Sequence, residues 1–251
     1  MTVTLIATNQ LVSRAIDVGA EHPYVAHDTT GSDVAEFAGR ACYQSWTRPN
    51  EATATNPGYL AHILEVAHGS VLEHGTATLY FTDLSRACTH EVVRHRHFSP
   101  SQLSQRFVNG EDSAMIVPPL VAEAGGEALK VFHEATDAAR VAYTLLSDLL
   151  ADHIITNHPE VTGTARRKAT REAARSVLPN ATDTAVVLTA NYRAWRHFVH
   201  LRATEHADAE IRAVALDVLA IMQGVAPAVF ADFELSEVNG VTVAHSPIGS
   251  V

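Results

Sequence analysis

The chain of 251 residues is 47% hydrophobic and carries a formal net charge of −10 at pH 7, enough apolar content for a sizeable core in one domain or two tightly joined ones. The acidic balance argues against a general nucleic-acid coat, which spreads basic residues over a face, so any anion site is a local cationic pocket. No apolar run nears the ~20 residues that span a bilayer, MTVTLIATNQ lacks the regions of a signal peptide, and Cys42 and Cys88 are too few for a disulfide framework. The expectation is a cytoplasmic protein with reduced thiols and no membrane partner.

In chain order, Val3 to Thr8 alternates and is β-branched, which predicts a first strand. Helical spacing of Val34, Phe37, Ala38 and Ala41 predicts a helix over 33–44, and Leu60, Ile63, Leu64 and Ala67 predict a second over 59–67. TATLYFT (76–82) reads as a strand, after which Ser85 suits the start of a helix running through Val93. A loop follows, and Pro118-Pro119 breaks the chain before a long helix over about 128–153. Thr164 to Val177 is a basic helix stopped by Pro179. Asp183 to Ala190 is a strand, Arg193 to Ala203 and Asp208 to Val225 are helices, and Asn239-Gly240 marks a hairpin. Strands and helices mix without βαβ alternation, so the fold class is α+β: one domain over 1–251, a central sheet flanked by long helices, and a tail over 234–251.

The chemistry concentrates in RHRHFSPSQLSQRF, 94–107. Arg94, Arg96 and Arg106 offer planar forks that grip phosphate, while Ser99, Ser101, Gln102, Ser104 and Gln105 orient neutral polar edges. Such a stretch suits a ligand with both a phosphate and a base to be read. A zinc helix is a poor alternative. His95 follows His90-Glu91 one residue too late to share a face with His90, and Arg94 stands where the second ligand belongs, so no metal is expected. A serine nucleophile at Ser104 has no visible base. Both cysteines read as small buried hydrophobes. The basic helix places Lys168, Arg171 and Arg175 on one face, which suits a phosphate-facing stripe, with a solvated stripe as the alternative for Arg166 and Arg167.

Arg94-His95-Arg96, seven residues, then Ser104 and Arg106 resembles the signature of the flavin-dependent thymidylate synthases. AGRACYQSW (38–46), HGSVLEH (68–74), ARSVLPNAT (174–182), NYRAWRHF (191–198) and LRATEHADAEIR (201–212) resemble that family in the same order, over roughly Ala38 to Phe233. The resemblance implies reductive methylation of dUMP to dTMP without an enzyme cysteine. FAD is the cofactor, with NADPH as reductant and 5,10-methylenetetrahydrofolate as carbon donor. It implies a homotetramer with shared active sites, in which Arg106 acts on a neighbour's nucleotide, and no nucleic-acid partner.

By the same resemblance Arg202 is catalytic, stabilising an ionised N3 of the uracil. The nucleotide falls to Arg86, Glu91, Arg94, Gln102, Leu103, Ser104, Gln105, Arg106, Lys168, Arg175 and Arg202. The flavin falls to Ser70, Arg94, His95, Arg96, Gln102, Asn191, Tyr192, Arg193 and His197, with His68, Glu73 and His206 as further candidates. Physically, a cation near a flavin ring also favours its reduced, anionic form. Phe107 stands where many members have tyrosine, and Pro100 stiffens the spacer and holds Ser99 extended. Two rival classes remain: a nucleotide-binding regulator without turnover, and an RNA- or DNA-binding module using the Arg-rich stretch.

Overall fold

The structure, a computed structural model, describes residues 1–48 and 50–250. Val251, at the end of the expected tail, lies outside the described residues. In order, the described chain forms β1 (Thr2–Thr8), β2 (Ala15–Ile16), β3 (Tyr24–Val25), α1 (Gly31–Tyr43), α2 (Asn56–Glu65), β4 (Thr76–Ser85), α3 (Arg86–Val92) and β5 (Ser99–Gln102). Then come α4 (Pro119–Ala124), α5 (Gly126–Asn157), α6 (Gly163–Ala174), β6 (Asp183–Asn191), α7 (Tyr192–Arg202), α8 (Ala209–Val225), α9 (Pro227–Phe230), β7 (Glu234–Val238) and β8 (Val241–His245). Strands β1-β4-β6-β5 make a four-stranded sheet in that order, and β2–β3 and β7–β8 make two-stranded ribbons. The architecture is mixed α/β. Among the described residues no helix is long and apolar enough to cross a membrane.

Local chemistry accounts for the boundaries. At the start of α1, Thr30 and Asp33 form a reciprocal capping box that satisfies two orphan donors. The helix ends where Gln44 turns left-handed, at φ 52°. Ser85 opens α3 as predicted, its Oγ accepting from the Cys88 N–H at 3.0 Å. Along β6, Thr184, Val186, Leu188 and Ala190 are buried and their neighbours only partly so, the period of two that a sheet imposes. Val238 pairs with Val241 across Asn239-Gly240, which adopt φ values of 52° and 79°. Two consecutive left-handed residues match the right-handed twist of the flanking strands.

The chain divides into two compact units, and it passes between them within β1, β4, α3, β5 and β6. The first comprises Met1–Thr2, Phe81–Glu91 and Ser101–Val186; the second comprises Val3–Tyr80, Val92–Pro100 and the chain from Val187 on. In the first, α5 packs on α6 and α4. Its Tyr143 is buried, with the hydroxyl accepting from the Gly110 N–H at 3.1 Å and donating to Asn109 Oδ1 at 3.2 Å. In the second, α7 packs on α8. Trp195 and Phe198 are fully buried there, as are Ile211, Val214, Val218 and Met222. Each such side chain contributes about 1.5–3 kcal/mol by leaving water.

A buried cation closes the second unit. Arg196 of α7 is fully inaccessible and meets Asp232 two-pronged, Nη1 to Oδ1 at 2.6 Å and Nη2 to Oδ2 at 2.8 Å. Its fork also donates to the carbonyls of Val229 and Gly249. Sequence reading had not singled out this residue, because an arginine in a helix reads as surface until its partners are known.

Four expectations are corrected. The stretch after α3 is not all loop, since Ser99–Gln102 forms edge strand β5. Pro100 is tolerated there because an edge strand need not donate every N–H outward. Pro119 opens a helix rather than only breaking one, since its missing N–H is an orphan at that position anyway. The long helix runs Gly126–Asn157, beyond the expected 128–153. Cys42 is exposed on α1, whereas Cys88 is buried as expected.

Candidate active site

In the second unit the Arg-rich segment is held against α7. Helix α3 ends at Val92, so His90 and His95 never share a helix face. Two tight turns follow: the His95 N–H donates to the Val92 carbonyl and the Phe98 N–H to the His95 carbonyl, each at 3.1 Å. Phe98 is buried, its ring centroid 4.5 Å from Trp195 and 5.5 Å from Phe198. That anchor presents Arg94 to His97 to the face of α7 that carries Ala194, His197 and Leu201, spaced three and four apart.

Between segment and helix lies a cavity of about 600 Å³, lined by Arg94, His95, Arg96, His97, His197 and Arg202 among others. A second recess of about 380 Å³ shares His97, Ala194 and His197 and adds Glu73, Asn191 and Arg193. Asn191 caps α7, accepting from the Ala194 N–H at 2.8 Å, and Arg193 donates to Glu73 at 2.6 Å. The lining is dominated by cations and imidazoles. A large polyanion with flat rings fits such walls, and the seven residues Arg94, His95, Arg96, Asn191, Arg193, His197 and Arg202 of the sequence reading meet here.

Arg202 donates from Nε to His95 Nε2 at 3.1 Å. The imidazole therefore accepts on that nitrogen, which requires the neutral ring. Burial, then the Arg202 charge, then His197 hold the His95 pKa down at about 4. Burial first, then His200 and His97, also lowers that of His197. The linkage has a definite sign. A histidine whose folded pKa lies below its unfolded value near 6.5 contributes stability fully present above that value and lost as pH falls toward 4. In a proton NMR titration, His95 is expected to stay neutral to about pH 5 while Arg202 is present. Protonation near pH 6.5 in the intact fold would refute the hydrogen-bond assignment.

The first unit gathers much of the expected nucleotide set. Arg86, Gln105 and Arg175 line a cavity of about 460 Å³, together with Glu172, Ser176 and Asn180. Burial and then the Arg175 charge lower the Arg86 pKa, as expected for two guanidiniums drawn together without an anion between them. Gln102 spends its amide on Thr89 Oγ1 at 2.8 Å and Thr184 Oγ1 at 3.3 Å. The Leu103 N–H donates to the Ala185 carbonyl, the Leu103 side chain is partly exposed, and Ser104 Oγ accepts from the Arg106 N–H at 3.4 Å. Arg106 pairs with Glu172 at 2.5 Å. Lys168 lies 5.2 Å over the Phe107 ring, and Arg171 donates to the Phe107 carbonyl. The basic stripe expected over 164–177 thus divides: Arg175, in the 3-10 turn that follows α6, lines the arginine cavity, while Arg171 of α6 lines a different one beside Tyr143.

Some expected residues lie apart. Glu91 is half-buried in α3 and lines neither cavity of its unit named so far. Ser70 is exposed on the 3-10 turn Gly69–His74 without lining either cavity beside α7. Tyr192 is fully buried, so its side chain does not reach them. A Cβ on Gly75 would sit 2.3 Å from the Tyr192 ring, and one on Gly31 2.3 Å from its hydroxyl. His68 stacks on Tyr43 at 6.1 Å, and His206 stands exposed beside Glu205. Sequence reasoning gave no site role to His97, Leu201 or Glu172. Adjacency to the Arg-rich run could have flagged His97. No signal in the sequence marks Leu201 or Glu172.

The profile of the thymidylate synthase complementing protein family matches residues 25–228. A flavin-dependent thymidylate synthase of Mycobacterium sp. (strain JLS) is 52% identical over 242 residues, 95% of each chain. One of Mycobacterium tuberculosis (strain ATCC 25177 / H37Ra) is 52% identical over 229 residues, covering 91% of this chain and 90% of its own. Among solved structures, the UMP/dUMP methylase PolB from Streptomyces cacaoi, bound with 5-Br dUMP, superposes with a TM-score of 0.66. It is 19% identical over 92% of this chain and 93% of its own, a likeness of fold. With motif, cavity and relatives in agreement, the chain belongs to the thymidylate synthase complementing protein family, that of the flavin-dependent thymidylate synthases.

Proposed function

We propose that this protein methylates dUMP reductively to dTMP, with FAD bound along the Arg94–Arg202 cavity and its neighbouring recess. The observation that carries the reading is Arg202, fixed through Nε on a neutral His95 inside a cavity lined by Arg94 and Arg96. When bound and reduced by NADPH, FAD supplies the reducing equivalents, and 5,10-methylenetetrahydrofolate supplies the carbon. Arg94, Arg96 and Arg193 meet the anionic parts of the dinucleotide, and Asn191 and His197 orient it. A charge from Arg202 at N3 of the uracil lowers the cost of the ring anion and raises electron density at C5. This activation replaces the enzyme thiolate; neither exposed Cys42 nor buried Cys88 takes part. Holding the uracil and the cofactor together in one site would then contribute through orientation.

For the phosphate, Arg86 and Arg175 supply charge, and Gln105 and Ser104 supply neutral donors. Gln102 and Leu103 position that strand end, and Glu91, Lys168 and Arg106 complete the set. The protein works as a cytoplasmic homotetramer whose sites draw on more than one chain. One domain, 1–251, carries the activity.

The test is the visible absorption of purified protein before and after addition of FAD and then dUMP. A flavin band that stays with the protein and shifts on dUMP addition is the expected result, followed by NADPH- and folate-dependent tritium release from C5-labelled dUMP. Protein that cannot be loaded with FAD would sink the reading. Binding of dUMP without NADPH oxidation would favour a regulator instead.

A further inference from the structure

Glu172 sits on α6 among basic residues, three before Arg175 and four after Lys168. It lines the 460 Å³ cavity of the first unit, where the other charged lining is Arg86 and Arg175. Its Oε2 lies 2.5 Å from Arg106 Nη2, and Arg106 Nε is buried without a partner. A carboxylate in a cavity otherwise suited to anions weakens the attraction for any phosphate. That cost calls for a reason, and the charge count offers one. The two lining guanidiniums less one carboxylate leave one positive charge, and Arg106, outside the lining, is held by Glu172. A phosphomonoester, at about −1.5 to −2 at pH 7, already takes up that charge. A second phosphoryl group adds negative charge that the cavity cannot balance and that Glu172 repels.

We propose that Glu172 is a specificity-determining residue, selecting a nucleoside monophosphate against the corresponding diphosphate. The inference rests on reading this cavity as the phosphate end of the nucleotide site. It acts through charge rather than shape: Glu172 is half-exposed, so its influence is moderate, screened by salt, and shared by any ligand with the same phosphate count. If Glu172 only tethers Arg106, its loss changes the affinity for both ligands alike and leaves their ratio fixed.

The experiment is calorimetric titration of the FAD-loaded full chain with dUMP and with dUDP, for wild type, Glu172→Gln and Glu172→Asp. Wild type is expected to prefer dUMP. In Glu172→Gln the ratio of dUDP to dUMP affinity should rise about fivefold at low salt, the effect of one neighbouring charge at a half-exposed site. The gain should shrink at 0.5 M salt, and Glu172→Asp, which keeps the charge, should keep the wild-type ratio. A ratio unchanged within about twofold in Glu172→Gln, with dUMP still bound, overturns the selectivity role alone. Wild-type protein that binds neither nucleotide overturns both this role and the reading beneath it.

Discussion

Replacing Arg202 by alanine is expected to lower kcat by roughly 10²–10³-fold, the cost of removing one preorganised charge from a developing anion. The side chain stands at the last residue of α7, where the preceding turns are fixed by buried Trp195 and Phe198. His95 takes the Nε hydrogen, so the guanidinium plane is set before substrate arrives. That is why the loss should appear chiefly in kcat rather than in the fold. The melting curve should move by no more than a few degrees, because Arg202 is only half-buried. Arg202→Lys should recover little, since a point charge on a flexible stem cannot keep the planar geometry. Activity within threefold of wild type in Arg202→Ala would remove the residue from the chemistry. Steady-state kinetics with dUMP, beside a thermal melt, decide it.

The second large effect concerns stability. Asp232→Ala strands a fully inaccessible guanidinium, and breaking such a pair from one side costs about 3–5 kcal/mol. For a chain of this size that is a fall in Tm on the order of 10 °C. Burial alone would raise the Asp232 pKa, but hydrogen bonds from Arg196 and Ser246 outweigh it, and the net shift is downward. The contribution is therefore present above the unfolded value near 3.9 and is lost as pH falls through the lower folded value. Wild type and Asp232→Ala should converge in stability toward strongly acid pH. The double variant Arg196→Met/Asp232→Leu should lose less than Asp232→Ala, because no uncompensated charge remains. Denaturant melts across pH read all three, and a single variant within 1 kcal/mol of wild type would refute the uncompensated-charge argument.

Much of this was legible in the sequence where the cause is local. Ser85 as a cap, the alternation of β6, the 3.6-residue face of α8 and the Asn239-Gly240 turn each follow from a few neighbouring residues. The site divided in the same way. Arg94, His95 and Arg96 announced themselves by density of charge, and the family resemblance drew in Arg193, His197 and Arg202, which the fold brings to the same cavities. What stayed hidden depends on distant partners. Arg196 became a buried ion only through Asp232, 36 residues on. Cys42 followed an apolar pattern on α1 yet faces out, since helical spacing alone does not say which face a neighbour covers. Glu172 carried no reading in the sequence because its partner, Arg106, comes from a separate segment. Tyr192 sat inside a flavin-like motif while its ring fills the space left by Gly31 and Gly75.

Pro100 has a bearing beyond loop stiffness. It lies in the short edge strand β5, at one border of the four-stranded sheet. An open border of that kind is a template on which a stray strand can grow, the first step of runaway association between partly opened chains. With only four residues, and no N–H at one of them, β5 makes a poor template. The stretch that carries the cationic signature is thereby kept from serving as a seed for aggregation.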